Sequence, residues 1–255
     1  MSAIPLWFWA TAAGVLGLAM GSFFSVLAYR WPREESLVSP RSHCTSCDHQ
    51  LRWYENIPLV SWLALGRRCV SCREPISWRY PALELTSGAL AAGSIAVFGA
   101  DWRGLAVMVM ALALVPVVII DLEHKLIPNI VVLPAAAVAL AFAVLNNPDR
   151  WWVPVIAAAG AAAFLGVLWL LYPRGMGFGD VKLALLLGAV LGASVIPALA
   201  IAFFAGSVLG IALIARSGRG ARKTAVPFGP FLAAGALLAL WVGPTLITWY
   251  TDRLG

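Results

Sequence analysis

Long apolar runs recur along most of this chain, and they constrain its fold more than any other feature. The 255 residues are 61% hydrophobic and only 12% charged. Runs such as Gly104–Ile120 and Val153–Leu171 are nearly free of charge. They approach the ~20 residues that a helix needs to cross a bilayer. A soluble helical core does not need apolar sequence on this scale, so the pattern predicts an all-α, polytopic membrane protein.

The apolar pattern predicts about eight transmembrane helices. The first run, Ile4–Tyr29, lacks a basic start and is long for a signal peptide, so we interpret it as a retained span. The division between the sixth and seventh spans depends on Gly192-Ala193-Ser194 and on Pro197. The predicted spans are 5–28, 82–99, 104–120, 130–146, 153–171, 181–196, 198–215 and 228–249.

The basic residues are divided unequally between the two sides of these spans. With the long loop Arg30–Pro81 in the cytoplasm, fifteen of the 18 Lys and Arg residues lie on the cytoplasmic side. Because cytoplasmic loops carry an excess of Lys and Arg, this bias predicts that both termini lie outside. It also accounts for the net charge of +6 without a nucleic-acid partner. The basic run Arg216–Lys223 is interpreted as a loop near anionic membrane lipid.

All four cysteines lie in the long loop, as Cys44-x-x-Cys47 and Cys69-x-x-Cys72. Two such pairs are typical of a structural zinc site, in which four thiolates converge tetrahedrally on the ion. Two disulfides are the alternative, but the charge bias places this loop in a reducing compartment. His43 and His49 flank the first pair. Because four cysteines already complete a zinc site, we expect both histidines to lie outside the ligand set.

Two aspartates stand where an apolar run meets a short polar loop. Asp121 follows the run Val117–Ile120, and Asp180 follows Gly177-Phe178-Gly179. The predicted topology places both at cytoplasmic ends of spans, so they can meet at one depth although they are distant in sequence. A carboxylate at the edge of the hydrocarbon region is costly and rare. A close pair can share a proton and activate water against an amide bond.

These acidic residues also have structural interpretations. Each aspartate can be a helix cap or a loop residue paired with Lys125 or Lys182. Glu84 lies just inside the second span, where a helix N-terminus tolerates an acid, and both a functional and a structural role are open for it.

A series of short blocks follows in order along nearly the whole chain. The blocks are Gly21-Ser22-Phe23-Phe24-Ser25-Val26, Tyr29-Arg30-Trp31-Pro32, the two cysteine pairs with Asn56-Ile57-Pro58 and Ser61-Trp62 between them, Ile76-Ser77-x-Arg79-Tyr80-Pro81, Glu84, Asp121 with Ile127-Pro128-Asn129, Gly177-x-Gly179-Asp180-x-Lys182-Leu183, and Pro227-Phe228-Gly229-Pro230. One block alone is weak, but the ordered set is specific. It resembles the type IV prepilin peptidases, which are bacterial aspartic membrane proteases of the Gly-x-Gly-Asp kind.

The resemblance implies that Asp121 and Asp180 are catalytic. It implies that zinc is held by Cys44, Cys47, Cys69 and Cys72. The substrate would be the short basic leader of a type IV prepilin or a pseudopilin, cut at the cytoplasmic face of the inner membrane. Many members also methylate the new N-terminal amine with S-adenosylmethionine. The family usually has asparagine where this chain has Ser25, so a peptidase without methyltransferase activity is the alternative.

Three segments are predicted along the chain: the first transmembrane helix at 1–29, a cytoplasmic zinc-binding loop domain at 30–81, and a transmembrane aspartic peptidase domain at 82–255. Two other classes of protein compete with a peptidase. An ion-coupled transporter would place ionisable residues near the bilayer midplane on broken helices, whereas here they lie at one edge. A membrane-tethered zinc scaffold would need the cysteines but not the aspartates.

Overall fold

Helices dominate the computed structural model, which describes residues 4–173, 175–217 and 226–254. Four of the basic residues counted above, Arg174, Arg219, Arg222 and Lys223, lie outside the described residues. Within the described ranges the α-helices are α1 Leu6–Arg30, α2 Val60–Ala64, α3 Arg79–Phe98, α4 Trp102–His124, α5 Asn129–Asn146, α6 Trp152–Leu171, α7 Phe178–Leu191, α8 Val195–Ser217 and α9 Gly229–Leu254.

Seven segments of the described chain are long and apolar enough to cross a membrane. The longest, Phe178–Arg216, contains both α7 and α8, which the short 3-10 helix Gly192–Ser194 separates. Gly192 has a φ of +57°, a conformation that glycine adopts without steric cost, and α7 ends there. With α7 and α8 counted separately, eight helices overlap the eight predicted spans, and the prediction of an all-α, polytopic fold is confirmed.

The helix ends differ from the predicted span ends at both aspartates. Helix α4 continues to His124, so Asp121 lies in its last turn and not after it. Helix α7 begins at Phe178, so Asp180 lies inside its first turn. Hydropathy misses both of these helix ends because polar residues continue the backbone hydrogen bonding. The N–H of Lys125, for example, still donates to the carbonyl of Asp121 at 2.9 Å.

The chain divides into two compact units, Met1–Gly104 (unit 1) and Leu105–Gly255 (unit 2). In unit 1, α1 and α3 pack along each other, with the cysteine-containing loop connecting them in sequence. A Cβ atom at Gly21 would lie 2.6 Å from the Cα of Glu84. The absence of a side chain at Gly21 therefore sets how closely the two helices approach. The boundaries of the three predicted segments stay a prediction.

The core of unit 2 surrounds α7, which packs against α5, α6 and α9. This helix has only 14 residues, about 21 Å at 1.5 Å per residue. It is apolar on all sides, as expected for a helix that others enclose. Its buried positions include Leu183, Leu186 and Leu187. A short, enclosed helix brings Asp180, in its first turn, into the protein interior.

Replacing Gly21 with alanine tests the contact between α1 and α3. The new Cβ would meet backbone atoms of Leu83 and Glu84 that cannot rotate away. We expect a loss of about 1–3 kcal/mol in stability, as for other overpacked contacts. Gly93→Ala is the matched control, since a Cβ there meets nothing within 4 Å. Thermal unfolding in detergent micelles measures both variants, and equal midpoints would contradict the close approach.

Candidate functional site

Asp180 is held at the start of α7. Its Oδ2 accepts the N–H of Gly177 at 3.1 Å, which satisfies one of the free N–H groups of the first turn. Its Oδ1 is buried and has no hydrogen-bond partner among the described residues. Buried polar atoms are nearly always paired, so an unpaired one needs an explanation. The capping interpretation accounts for one oxygen of Asp180 and leaves the other without a role.

Asp121 reaches the start of a different helix. Its Oδ2 accepts the N–H of Gly229, the first residue of α9, at 2.7 Å. Asp121 itself lies at the C-terminal end of α4, where the helix dipole disfavours negative charge, whereas the N-terminus of α9 favours it. A Cβ atom at Gly229 would lie 2.7 Å from this carboxylate oxygen. A larger residue at Gly229 would therefore displace the carboxylate from its donor.

The two aspartates both belong to unit 2, and each residue is 5% exposed. They lie near enough for the charge of Asp121 to affect Asp180. The loop after Asp121 contacts the start of α7, because a Cβ atom at Gly179 would lie 2.7 Å from the Cβ of Ile127. The loop after Asp121 and the first turn of α7, which are distant in sequence, are therefore in direct contact beside Asp180.

Among the described residues, Lys182 pairs with Asn129 and not with Asp180, in contrast to the structural interpretation of the aspartates. Its Nζ donates to Oδ1 of Asn129 at 2.8 Å and lies 5.0 Å from the centre of the Phe178 ring. This hydrogen bond joins the starts of α5 and α7. Lys182 therefore connects the two helices that flank the loop contact, while the donor to Asp180 is the Gly177 N–H.

Sequence reasoning missed the anchoring role of Gly229. The block Pro227–Pro230 was noted as a motif, but no role followed from it. A glycine directly before a proline at the start of an apolar run is a signal for a helix N-terminus. Its pairing with Asp121, 108 positions away, could not be deduced from local sequence.

The four cysteines of unit 1 form one cluster. Their sulfur atoms all lie within 4.8 Å of one another, and all four thiols are free. The Sγ atoms are 3.8 Å apart for Cys44 and Cys72 and 3.9 Å apart for Cys47 and Cys69. Tetrahedral thiolates at 2.3 Å from a zinc ion are about 3.8 Å apart. The four cysteines can therefore hold a metal ion of this size.

The two cysteine pairs have matching backbones, which their spacing alone does not reveal. In each pair, the N–H of the first cysteine donates to the carbonyl five residues later at 2.9 Å. In each pair, the residue four positions after that cysteine has positive φ, at 55° for Asp48 and 62° for Arg73. Two equivalent turns thus present their sulfurs to one point.

The histidines beside the cysteines have other partners. Nε2 of His49 lies 3.1 Å from Oε2 of Glu55, and Nδ1 of His43 lies 3.2 Å from the carbonyl oxygen of Arg41. Glu55 also accepts the N–H of Arg52 at 2.9 Å. That N–H holds the pKa of the Glu55 carboxyl below its usual range against the opposing effect of burial, and His49 contributes in the same direction.

The long apolar helices define a multi-pass membrane protein. The buried carboxyl pair is its candidate acid–base site, and the four-thiol cluster is its candidate metal site. Residues 15–98 match the family model described as Bacterial Peptidase A24 N-terminal domain. Residues 108–215 match the model described as Type IV leader peptidase family. No solved structure matches the chain.

Curated relatives that are named prepilin leader peptidase/N-methyltransferase match the chain over most of its length. The relative from Burkholderia pseudomallei is 36% identical over 95% of this chain and 88% of its own length. Those from Pseudomonas aeruginosa and Bacillus subtilis are 33% and 34% identical, over 94% and 92% of this chain and 93% and 95% of their own. This chain belongs to the type IV leader peptidase family.

A double-mutant cycle tests the contact that joins the two aspartate-bearing segments. Gly179→Ala places a Cβ against Ile127 and should cost about 1–3 kcal/mol. Adding Ile127→Gly removes the clashing atoms, so the two changes should be coupled by about 0.5–3 kcal/mol. Gly160→Ala is the control, because a Cβ there meets nothing within 4 Å. Strictly additive shifts in thermal unfolding would show that the two segments do not touch.

Proposed function

We propose that this protein is a membrane aspartic endopeptidase that removes the short basic leader from type IV prepilins or pseudopilins. The observation that carries the proposal is the carboxyl pair of Asp121 and Asp180. Each carboxyl is buried, and each has one oxygen anchored by a backbone N–H. Membership of the leader peptidase family and the printed names of the relatives support the choice of substrate.

The pair acts by general acid–base catalysis on a water molecule. One carboxylate takes a proton from water as the water oxygen attacks the scissile carbonyl carbon. The other carboxyl group gives its proton to the carbonyl oxygen, and the amine later leaves with a proton from the pair. Two close carboxyls hold one proton between them, so an acid and a base are present at the same pH. The unpaired Oδ1 of Asp180 is an atom available to the reacting water.

We propose that the protein lies in the bacterial inner membrane with the aspartates and the cysteine loop facing the cytoplasm. The support is the distribution of basic residues, fifteen of 18 on the side of the long loop. Both termini then face outward. A prepilin with its basic leader inside and its hydrophobic helix in the bilayer would present the cleavage position to the carboxyl pair.

We propose that the metal of the cysteine cluster is a structural zinc ion. The sulfur separations suit zinc, and four thiolates leave no open coordination position for catalysis. The loop is small and largely polar, so metal binding would supply much of its folding free energy. The ion would thereby order the segment that connects α1 with α3.

N-methylation of the new N-terminus by S-adenosylmethionine is part of the proposal, and the printed names of the relatives support it. The neutral amine would form the N–CH3 bond while the S–CH3 bond breaks and leaves its electron pair on sulfur. A peptidase without this second activity is the other candidate. Ser25 favours it, because asparagine is usual in the family here and the Ser25 hydroxyl already donates to the Gly21 carbonyl at 3.2 Å.

Substituting either aspartate by asparagine tests the carboxyl pair. Asp121→Asn and Asp180→Asn keep the shape of the side chain but remove the proton exchange. We expect each to lower the rate of prepilin cleavage by at least about a hundredfold. Mass spectrometry of a prepilin incubated with membranes holding each variant reports both the cut and any added methyl group.

Asp149→Asn is the matched control, since Asp149 is exposed and distant in sequence from both aspartates. It should cleave like the unmodified protein. Full processing by Asp121→Asn or Asp180→Asn would refute the acid–base pair. Cleavage without an added methyl group would favour the second candidate.

Removing two cysteines tests the metal site. In the double variant Cys44→Ser, Cys69→Ser we expect zinc to fall from about one ion per chain to none, because two of four ligands are lost. Elemental analysis measures the metal, and limited proteolysis should then cut the loop readily. Ser46→Ala, an exposed position inside the first pair, is the control. Unchanged zinc in the double variant would rule out this ligand set.

A further inference from the structure

A cavity of about 310 Å³ lies within unit 1 and has no role in the peptidase proposal. Its walls come from α1, the cysteine-containing loop and the start of α3. Small-molecule sites in proteins have volumes of about 300–1,000 Å³ and combine apolar walls with a few convergent polar groups. The polar groups here include three buried charged side chains, Arg30, Glu55 and Glu84.

Glu84 is the member of this set that has no positive partner among the residues the structure describes. It is 7% exposed, and its Oε2 accepts the N–H of Leu59 at 2.8 Å. The hydroxyl of Ser22 also interacts with it. Both of these donors are neutral, whereas Glu55 in the same wall has His49 at 3.1 Å. A buried carboxylate is costly unless it is paired, so a cationic ligand would complement Glu84.

Arg30 brings the opposite charge to the same cavity. It is 6% exposed, and its guanidinium donates to the carbonyl oxygens of Ser36 at 3.1 Å and Arg41 at 3.5 Å. These acceptors are neutral, so the positive charge of Arg30 suits a carboxylate in a ligand. The rings of Tyr29, Trp62 and Tyr80 also line the cavity. Aromatic faces bind both cations and nucleobases.

We propose that this cavity binds S-adenosylmethionine, with Glu84 facing its positive charge and Arg30 its carboxylate. The proposal rests on the methyl transfer proposed above and assigns its donor site to unit 1. The donor carries a sulfonium, an ammonium, a carboxylate and an adenine ring. The cavity offers buried groups of both signs and aromatic rings, so each part of the donor has a counterpart.

A basic side chain of the leader is the other cation that the protein meets. A lysine or arginine side chain would satisfy Glu84 alone. It has no carboxylate for Arg30, whose own charge would repel it. A lysine side chain has no planar group to stack on the aromatic rings, and an arginine side chain has only its guanidinium. The mixed charges of the cavity therefore favour the methyl donor over the leader.

Binding of radiolabelled S-adenosylmethionine to the purified full chain in detergent tests the site. Glu84→Gln keeps an oxygen for the Leu59 N–H and removes the charge, so we expect the dissociation constant to rise at least about tenfold. Glu35→Gln makes the same change at an exposed position outside the cavity wall, and should stay within about twofold of the unmodified protein. Tyr80→Leu removes a half-exposed ring and should weaken binding several-fold.

Prepilin cleavage, zinc content and thermal unfolding are measured on the same samples. We expect Glu84→Gln to cleave prepilin and to fail in methylation at donor concentrations that suffice for the unmodified protein. If Glu84→Gln fails to fold, Tyr80→Leu alone decides the assignment.

Equal donor affinity in the unmodified protein and in the folded variants would overturn the site. Displacement of the donor by a lysine-containing leader peptide, at concentrations at which that peptide is cleaved, would assign the cavity to the leader instead. Donor binding that Glu84→Gln weakens, without any methylated product, would leave the site standing and refute the methyl transfer. If the unmodified protein does not cleave prepilin, that result would refute the peptidase proposal and leave the proposed donor site standing.

Discussion

The carboxyl pair depends on one constraint, which is that a carboxylate buried among apolar helices must be given hydrogen-bond donors. Asp180 receives the N–H of Gly177 and Asp121 receives the N–H of Gly229, both at the start of a helix. A helix N-terminus has free N–H groups and a positive dipole end, so it supplies a donor and a favourable field together. The start of α7 and the start of α9 must therefore lie beside the aspartates. This requirement accounts for glycine at positions 179 and 229. A side chain at Gly229 would enter the space of the Asp121 carboxylate, and one at Gly179 would enter the space of Ile127.

The same constraint separates two kinds of buried acid in unit 1. Glu55 has a backbone donor and His49, so its charge is balanced within the protein and it serves to order the loop. Glu84 has neutral donors, and on the proposed assignment a ligand supplies the cation that balances its charge. Exposure does not distinguish them, since both are almost fully buried. The charge of the hydrogen-bond partner distinguishes Glu55 from Glu84. Of these two acids, Glu84 is therefore the one that a cationic ligand would complement.

The sequence predicted the features that follow from local chemistry. Bilayer thickness sets the length of an apolar run, so eight helices could be counted from the pattern, and paired cysteines at short spacing indicated one metal cluster. The helix ends at Asp121 and Asp180 were placed a few residues off, because hydropathy detects apolar side chains and not backbone hydrogen bonds. The contacts of Gly229 with Asp121 and of Gly179 with Ile127 were not predictable. They join segments whose proximity is a result of packing around α7, which no local pattern encodes.

Proteolysis and methyl transfer make opposite demands on water. On the proposed mechanism the carboxyl pair must admit water, because water is the nucleophile that it would activate. Methyl transfer needs the amine and not water beside the methyl group, and the amine must lose a proton before its lone pair can react. On the proposed assignment the two reactions use different units, with the aspartates within Leu105–Gly255 and the cavity within Met1–Gly104. On that assignment cleavage must precede methylation, because the amine that would be methylated does not exist until the peptide bond is broken.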